Sequence, residues 1–248
     1  MKPPTSFLVD TNLGLPVDER PWPEILRAAG IVTTSTTDLA ELDASIERHE
    51  PDFAFTPVPG FHRLLARGDR CYRGLAIVTS KFTGRTHLPS VLVVRNDDPA
   101  AAVEDLRGAA YGYINKSCTS SYFSAAILLQ KHGERLDEFF DLHPTKPWQG
   151  QIEAVKSGAV RATMVPEDVW RSTPANAVDT KVIDRYNNPT GPAIIVRCGL
   201  DDAVVKALRD ALLEWQPEMS AIYGPFKPFR DADVADFFRD LDCLPVGY

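Results

Sequence analysis

Short apolar runs alternate along the chain with stretches whose apolar positions recur at helical spacing, the pattern of a layered α/β protein. Ser6–Asp10 (SFLVD) reads as a strand and the segment after it as a turn. Residues 23–29 read as a short helix closed by Gly30 at the position after the C-cap. A β-branched strand follows at Ile31–Thr34. Thr37 or Asp38 then caps a helix with Glu41 close behind and a stripe of Leu39, Leu42 and Ile46. Asp52–Thr56 (DFAFT) is a strand stopped by Pro57 and Pro59, and Phe61, Leu64 and Leu65 suit a helix ending near Gly68. Leu75–Ser80 and Ser90–Arg95 are the next strands. SVLVVR is continuously apolar after its serine, which predicts burial on both faces.

After Arg95 a turn and a short helix lead into the strand Ala109–Ile114. A helix over Thr119–His132 has an apolar face of Tyr122, Phe123, Ala126, Ile127 and Leu129, with Gly133 placed to cap it. Phe139, Phe140 and Leu142 form a short buried piece. A helix at Gln149–Ser157 is closed by Gly158 and followed by the strand Ala162–Val165. Val182–Ile183 and Ala193–Arg197 read as strands. Asp201 caps a helix striped by Val204, Leu208, Leu212 and Trp215, and a last helix carries Val234, Phe237, Phe238 and Leu241.

Composition narrows the class. Of 248 residues, 27 are Lys or Arg and 34 are Asp or Glu, a formal charge of −7, which speaks against a nucleic-acid or anionic-membrane surface. Apolar runs such as Ala125–Leu129 and Ala193–Val196 fall far short of the roughly 20 residues that span a bilayer. The N-terminus shows no apolar core of an export signal. The location expected is therefore the periplasm if a leader was removed, and the cytoplasm if the chain is complete as given. The four cysteines, Cys71, Cys118, Cys198 and Cys243, form no Cys-x-x-Cys pair and read as buried thiols.

Nucleotide loops, zincin helices and the G-x-S-x-G elbow are missing, and the five histidines lie at no metal-ligand spacing. No cofactor, metal or catalytic residue is expected. The segment Tyr113-Ile-Asn-Lys-Ser-Cys-Thr-Ser-Ser-Tyr122 stands out between a strand and a strong helix. Hydroxyl side chains and free backbone N–H groups at a helix start, with the positive end of its dipole, make a place for an anion. One hydroxyl would suffice for N-capping alone, whereas Ser117, Thr119, Ser120 and Ser121 all crowd this turn. Cys118 in the same turn has no sequence-adjacent base and reads as a packing or ligand-contact residue rather than a nucleophile. Trp148 before the next helix reads as a staple or as a cleft wall. Glu167 and Asp168 follow the carboxyl end of a strand, where ligands of α/β sheets bind.

The order of these pieces resembles the phosphate/phosphite/phosphonate-binding family, the substrate-binding components of ABC transporters with a type 2 periplasmic-binding fold. The resemblance rests on Asp52-Phe-Ala-Phe-Thr-Pro-Val-Pro-Gly60, Val93-Val-Arg-Asn-Asp-Asp-Pro99 with Asp105-Leu-Arg-Gly108, Asn115-Lys-Ser-Cys-Thr-Ser-Ser121, and Ala154-Val-Lys-Ser-Gly-Ala-Val-Arg-Ala162. It covers about residues 30–215. It implies two α/β lobes, residues 1–95 with 190–248 and residues 96–189, with a ligand cleft between them. It also implies that the loop at Cys118, Thr119 and Ser120 binds phosphonate oxygens, with Thr56 facing it from the other lobe. Cys118 stands where the family has a serine, Ser121 where it has a glycine, and Trp148 where it has a histidine. An indole in place of an imidazole removes an anion contact and adds a stacking face, which favours a planar or partly apolar anion.

Two functions follow as expectations. One is a monomeric solute-binding protein that clamps a small oxyanion and hands it to an ABC permease, with no nucleic-acid partner and no membrane insertion. The other is a cytosolic enzyme or ligand sensor on the same fold, using Cys118.

Overall fold

Strand and helix alternate in the computed structural model much as the apolar pattern predicts; it describes residues 5–10, 22–215, 223–245 and 248. In chain order the elements begin β1 (Thr5–Asp10), α1 (Trp22–Ala28), β2 (Ile31–Thr36), α2 (Leu39–Glu47), β3 (Phe53–Thr56), α3 (Val58–Ala66) and β4 (Tyr72–Ser80). They continue with β5 (Ser90–Arg95), β6 (Ala110–Tyr113), α4 (Ala125–Lys131), α5 (Leu136–Phe139), β7 (Asp141–Pro144), α6 (Gln149–Lys156) and β8 (Ala162–Pro166). The last are α7 (Glu167–Ser172), α8 (Pro174–Asp179), β9 (Thr180–Tyr186), β10 (Ala193–Arg197), α9 (Asp202–Glu214), β11 (Tyr223–Pro228) and α10 (Asp231–Asp242). The chain divides into two units, Met1–Thr86 with Gly191–Val234, and His87–Thr190 with Ala235–Tyr248.

The first unit is built on a six-stranded sheet in the order β11-β4-β10-β3-β1-β2. β1 pairs in parallel with β2 and β3, while β10, β4 and β11 are antiparallel additions. Its centre is apolar on both faces: all four residues of β3 are buried, as are Phe7, Val9 and Ala193–Val196. The Asp52 carboxylate accepts from the backbone N–H of Ser6 at 2.9 Å and pairs with the Arg197 guanidinium, tying the entrances of β1, β3 and β10 together. Asp38 is the cap of α2, its carboxylate accepting from Ala40 N at 2.8 Å.

The second unit carries a five-stranded sheet, β7-β6-β8-β5-β9. β7, β6 and β8 run parallel, with β5 and β9 antiparallel beyond them. Ser90–Val94 are all buried, as their continuous apolar character predicts. β5 pairs with β8 and β9 and so belongs to the second sheet, and the division between the units falls between Thr86 and His87. Residues 235–248 also join the second unit: Tyr186 OH donates to Asp240 at 2.6 Å, and Leu136 N donates to Tyr248 OH at 2.8 Å.

Other differences have local causes. β7 has one half-buried Leu between polar residues and ends in Pro144, so it carries no strand signature; its edge place in the sheet tolerates both. β11 likewise holds Pro225 and Pro228 at the edge of its sheet. α7 and α8 are too short to show a helical stripe. Val205 rather than Val204 is buried under α9. Cys118 alone of the four cysteines is buried, while Cys198 and Cys243 are exposed.

Candidate functional site

The chain turns sharply where β6 ends. From Tyr113 it bends through Ile114–Cys118 and enters a π-helical turn, Thr119–Ser124, which runs on into α4. The turn is wide because Cys118 O accepts from both Tyr122 N (3.3 Å) and Phe123 N (3.2 Å), and such turns recur at functional sites. Asn115 shapes the approach: its Oδ1 accepts from Ser117 N at 2.9 Å and its carbonyl from Cys118 N at 3.3 Å.

The crowded hydroxyls divide into two sets. Ser121 is fully buried, and its Oγ accepts from Ile114 N at 3.1 Å while its carbonyl accepts from Tyr111 OH at 2.8 Å. Ser124, which the sequence did not single out, donates to Thr119 O at 2.8 Å and accepts from Ser90 Oγ at 3.2 Å. These two brace the turn. Thr119 and Ser120 are differently placed. Thr119 Oγ1 is enclosed and has no hydrogen-bond partner among the described residues, and Ser120 Oγ lies 3.5 Å from Cys118 Sγ. The first N–H groups of a helical segment have no partner inside it, so Thr119–Ser121 present donors beside these hydroxyls. Ser117 flanks the turn half-buried, after the exposed Lys116.

A second helix start is tied to the same strand end. Thr145 N and Oγ1 both donate to Tyr113 O, at 2.8 and 3.1 Å. Gln151 in the first turn of α6 reaches Thr163 Oγ1 at 2.8 Å and Gly112 O at 3.3 Å. Gly112 suits this close approach, since a Cβ would lie 3.0 Å from Thr145 Cγ2 and 3.2 Å from Val160 Cγ2 and those side chains would have to give way. Gln151 is wholly buried and its Oε1 has no partner among the described residues. Sequence reading passed over Gln151; its signal was a polar residue inside the buried stripe of Ile152 and Val155. Trp148, the N-cap of α6, is half-buried at φ 45° and ψ −93°, a left-handed conformation that costs a non-glycine residue about 1–3 kcal/mol.

Glu167 and Asp168 open α7 directly after β8, both buried. Glu167 Oε1 lies 2.8 Å from Arg171 and 3.0 Å from Arg185, so its charge is met within the unit. Thr56, in the first unit, ends β3; it is fully buried and its hydroxyl donates to Pro57 O at 3.2 Å. The structure thus brings Ser117, Cys118, Thr119, Ser120 and Ser121 into one turn and ties the helix after Trp148 to the same strand. Among the described residues no group of three or more His, Cys, Asp or Glu side chains is placed to hold a metal ion. No described helix is long and apolar enough to cross a membrane.

Comparison with known proteins identifies the fold and the family. No curated protein matches the sequence. A binding protein component of an ABC phosphonate transporter from Pseudomonas aeruginosa superposes with a TM-score of 0.74 at 15% identity, covering 97% of this chain and 86% of its own. A Prochlorococcus marinus protein solved with methylphosphonate gives 0.73 at 11% identity, over 96% of this chain and 98% of its own. A Xanthomonas citri protein solved with ATP gives 0.72 at 17% identity, over 96% of each chain. At these identities the likeness establishes the fold, that of periplasmic binding proteins. Residues 29–237 match the family described as ABC transporter, phosphonate, periplasmic substrate-binding protein, and the chain belongs to that family.

Proposed function

We propose that the chain binds a small oxyanion of phosphonate type at the turn Ser117–Ser121 and delivers it to an ABC permease without chemical conversion. The observation that carries this reading is the enclosed Thr119 hydroxyl, without a partner among the described residues at a helix start while its neighbours Ser121 and Ser124 are engaged. A buried polar atom left unpaired is costly, and an oxyanion accepting from it removes that cost. Ser120 and the backbone N–H groups of Thr119–Ser121 supply the remaining donors, and charge-assisted bonds of this kind are the strong ones. Trp148 adds an apolar face, which favours an organic group on the anion over bare phosphate. All of these groups lie in one chain, so binding as proposed needs no second copy.

Catalysis by Cys118 lacks a base. The hydrogen-bond partner of its thiol among the described residues is the Ser120 hydroxyl, and a nucleophile needs a positioned proton acceptor. Thermal unfolding with methylphosphonate, ethylphosphonate, an alkyl sulfonate, phosphate and acetate tests the proposal. A phosphonate at a hundred times its Kd raises stability by about 2.7 kcal/mol, which moves Tm by several degrees. No shift with any member of the panel overturns it.

A further inference from the structure

Away from the oxyanion turn, the first unit holds two cysteines face to face. The register of β10 on β4 pairs Ala193 with Ile77 and ends with Arg197 opposite Tyr72. One step further, Cys198 N donates to Cys71 O at 2.7 Å, so these residues are the next directly opposed pair. Side chains of directly opposed residues in an antiparallel pair lie on the same side of the sheet, with Cβ atoms about 4.5–5.5 Å apart. The Cys198 thiol is turned toward the Cys71 segment, donating to Arg70 O at 3.3 Å. Cys198 is exposed and Cys71 half-buried, so a reagent in solution reaches the pair.

We propose that Cys71 and Cys198 form a reversible cross-strand disulfide that locks the end of the β4–β10 pair. A disulfide brings Cβ atoms to about 3.8 Å, closer than a hydrogen-bonded opposed pair holds them. The adjustment is available here because the ladder ends at this pair: Cys198 lies in the turn after β10, followed by Gly199 at φ 82°, and Cys71 lies in the bend before β4. A bond made under such distortion is readily reduced, which makes it a redox-responsive crosslink rather than a permanent staple.

The step requires an oxidant, here a small-molecule disulfide. Cys198, the exposed thiol, loses its proton and attacks one sulfur of that disulfide. This forms a mixed disulfide and releases one equivalent of small thiolate. The Cys71 thiolate then attacks the Cys198 sulfur and expels the second equivalent. One protein S–S bond forms as one small-molecule S–S bond is reduced to two thiols, and the two protons leave with them. Burial and the Asp69 carboxylate hold the Cys71 thiol above its ordinary pKa, so the thiolate needed for the closing step is more abundant at higher pH.

Peptide mapping of the folded full chain tests this after treatment with oxidised glutathione and after treatment with dithiothreitol. The expected result is a peptide pair joined through Cys71 and Cys198, lighter by two hydrogens than the reduced pair and lost on reduction. Cys118 should stay closed to alkylation until unfolding, and Cys243 should alkylate freely. Oxidation should raise Tm in the wild-type chain and not in C198S, an exposed substitution that leaves the fold intact. Recovery of Cys71 and Cys198 as independent glutathione adducts, as free thiols, or linked instead to Cys243 overturns the proposal.

Discussion

The two units solve the same packing problem and spend their polar residues differently. In the first, β1 lies between the parallel strands β2 and β3; in the second, β6 lies between the parallel strands β7 and β8. Antiparallel β10 and β5 then extend each sheet next to β3 and β8. Ligands of such sheets bind beyond the carboxyl ends of the parallel strands, where the strand order switches. In the first unit β3 runs into Pro57-Val-Pro59, a helix start with no side-chain cap, and the Thr56 hydroxyl is already bonded to a neighbouring carbonyl. In the second, β6 runs into a hydroxyl-rich turn that is braced from behind and leaves the Thr119 hydroxyl without a partner among the described residues. Topology sets where a site can be, and in the proposed function the allocation of a few hydroxyls makes the second unit the one that grips the anion.

The comparison is most directly broken at those hydroxyls. Replacing both Thr119 and Ser120 by Ala removes two charge-assisted bonds of roughly 1.5–3 kcal/mol each, so affinity for a phosphonate falls about a hundredfold or more by calorimetry. Thr56→Val should cost less than about tenfold, since only a neutral bond of roughly 0.5–1.5 kcal/mol is exchanged. Equal losses in the two variants would show that the units share the grip evenly.

The brace behind the turn gives the next effect. Ser121→Ala leaves the Ile114 N–H without its acceptor, and urea unfolding should show a loss of about 1–3 kcal/mol. An unchanged midpoint would mean that the brace adds nothing to the second unit.

Acid stability gives a further handle on the second unit. In the second, Asp98 is held below the usual carboxylate range by its hydrogen bonds from Arg161, and then from Ala100 N, against the opposing effect of burial. A carboxylate with a depressed folded pKa contributes stability that is complete above its unfolded value near 4 and disappears as pH falls through the folded value. Asp98→Asn should therefore destabilise by about 1 kcal/mol at neutral pH. The difference from wild type should shrink toward zero as pH falls through the depressed folded value. A constant difference from pH 7 to pH 2 would contradict the assignment.

Trp148→Gly should give the smallest change in stability, within about 1 kcal/mol. Release of a left-handed residue strained by about 1–3 kcal/mol offsets the packing that the indole loses. Its effect should show in selectivity, with preference moving from organic phosphonates toward phosphate in competition binding.

Much of this was legible in the chain. The strand at Ser90–Arg95, the Asp38 cap and the glycines closing α1, α6 and the helix before Gly133 follow from local rules of burial and φ. The turn at Ser117–Ser121 announced itself by a surplus of hydroxyls. What the chain did not show was which of them are spent. Ser121 and Ser124 are consumed by Ile114, Thr119 and Ser90, partners set by tertiary packing rather than by spacing. Glu167 looks like a free acceptor in sequence, yet Arg171 and Arg185 meet its charge once β9 is alongside β5. The pairing of β5 with β8 and β9, which places it in the second sheet, is likewise a long-range fact. The cysteines read as buried thiols by composition, and only the β4–β10 register reveals that two of them meet.

The central claim, that the second unit's turn grips an oxyanion through Thr119 and Ser120, is tested by titrating methylphosphonate into the wild-type chain and the T119A/S120A variant by calorimetry. The account predicts saturable one-to-one binding to the wild type and a loss of about a hundredfold or more in the variant at unchanged Tm without ligand. Binding of equal strength in both proteins, or no binding of any phosphonate to the wild type, would contradict it.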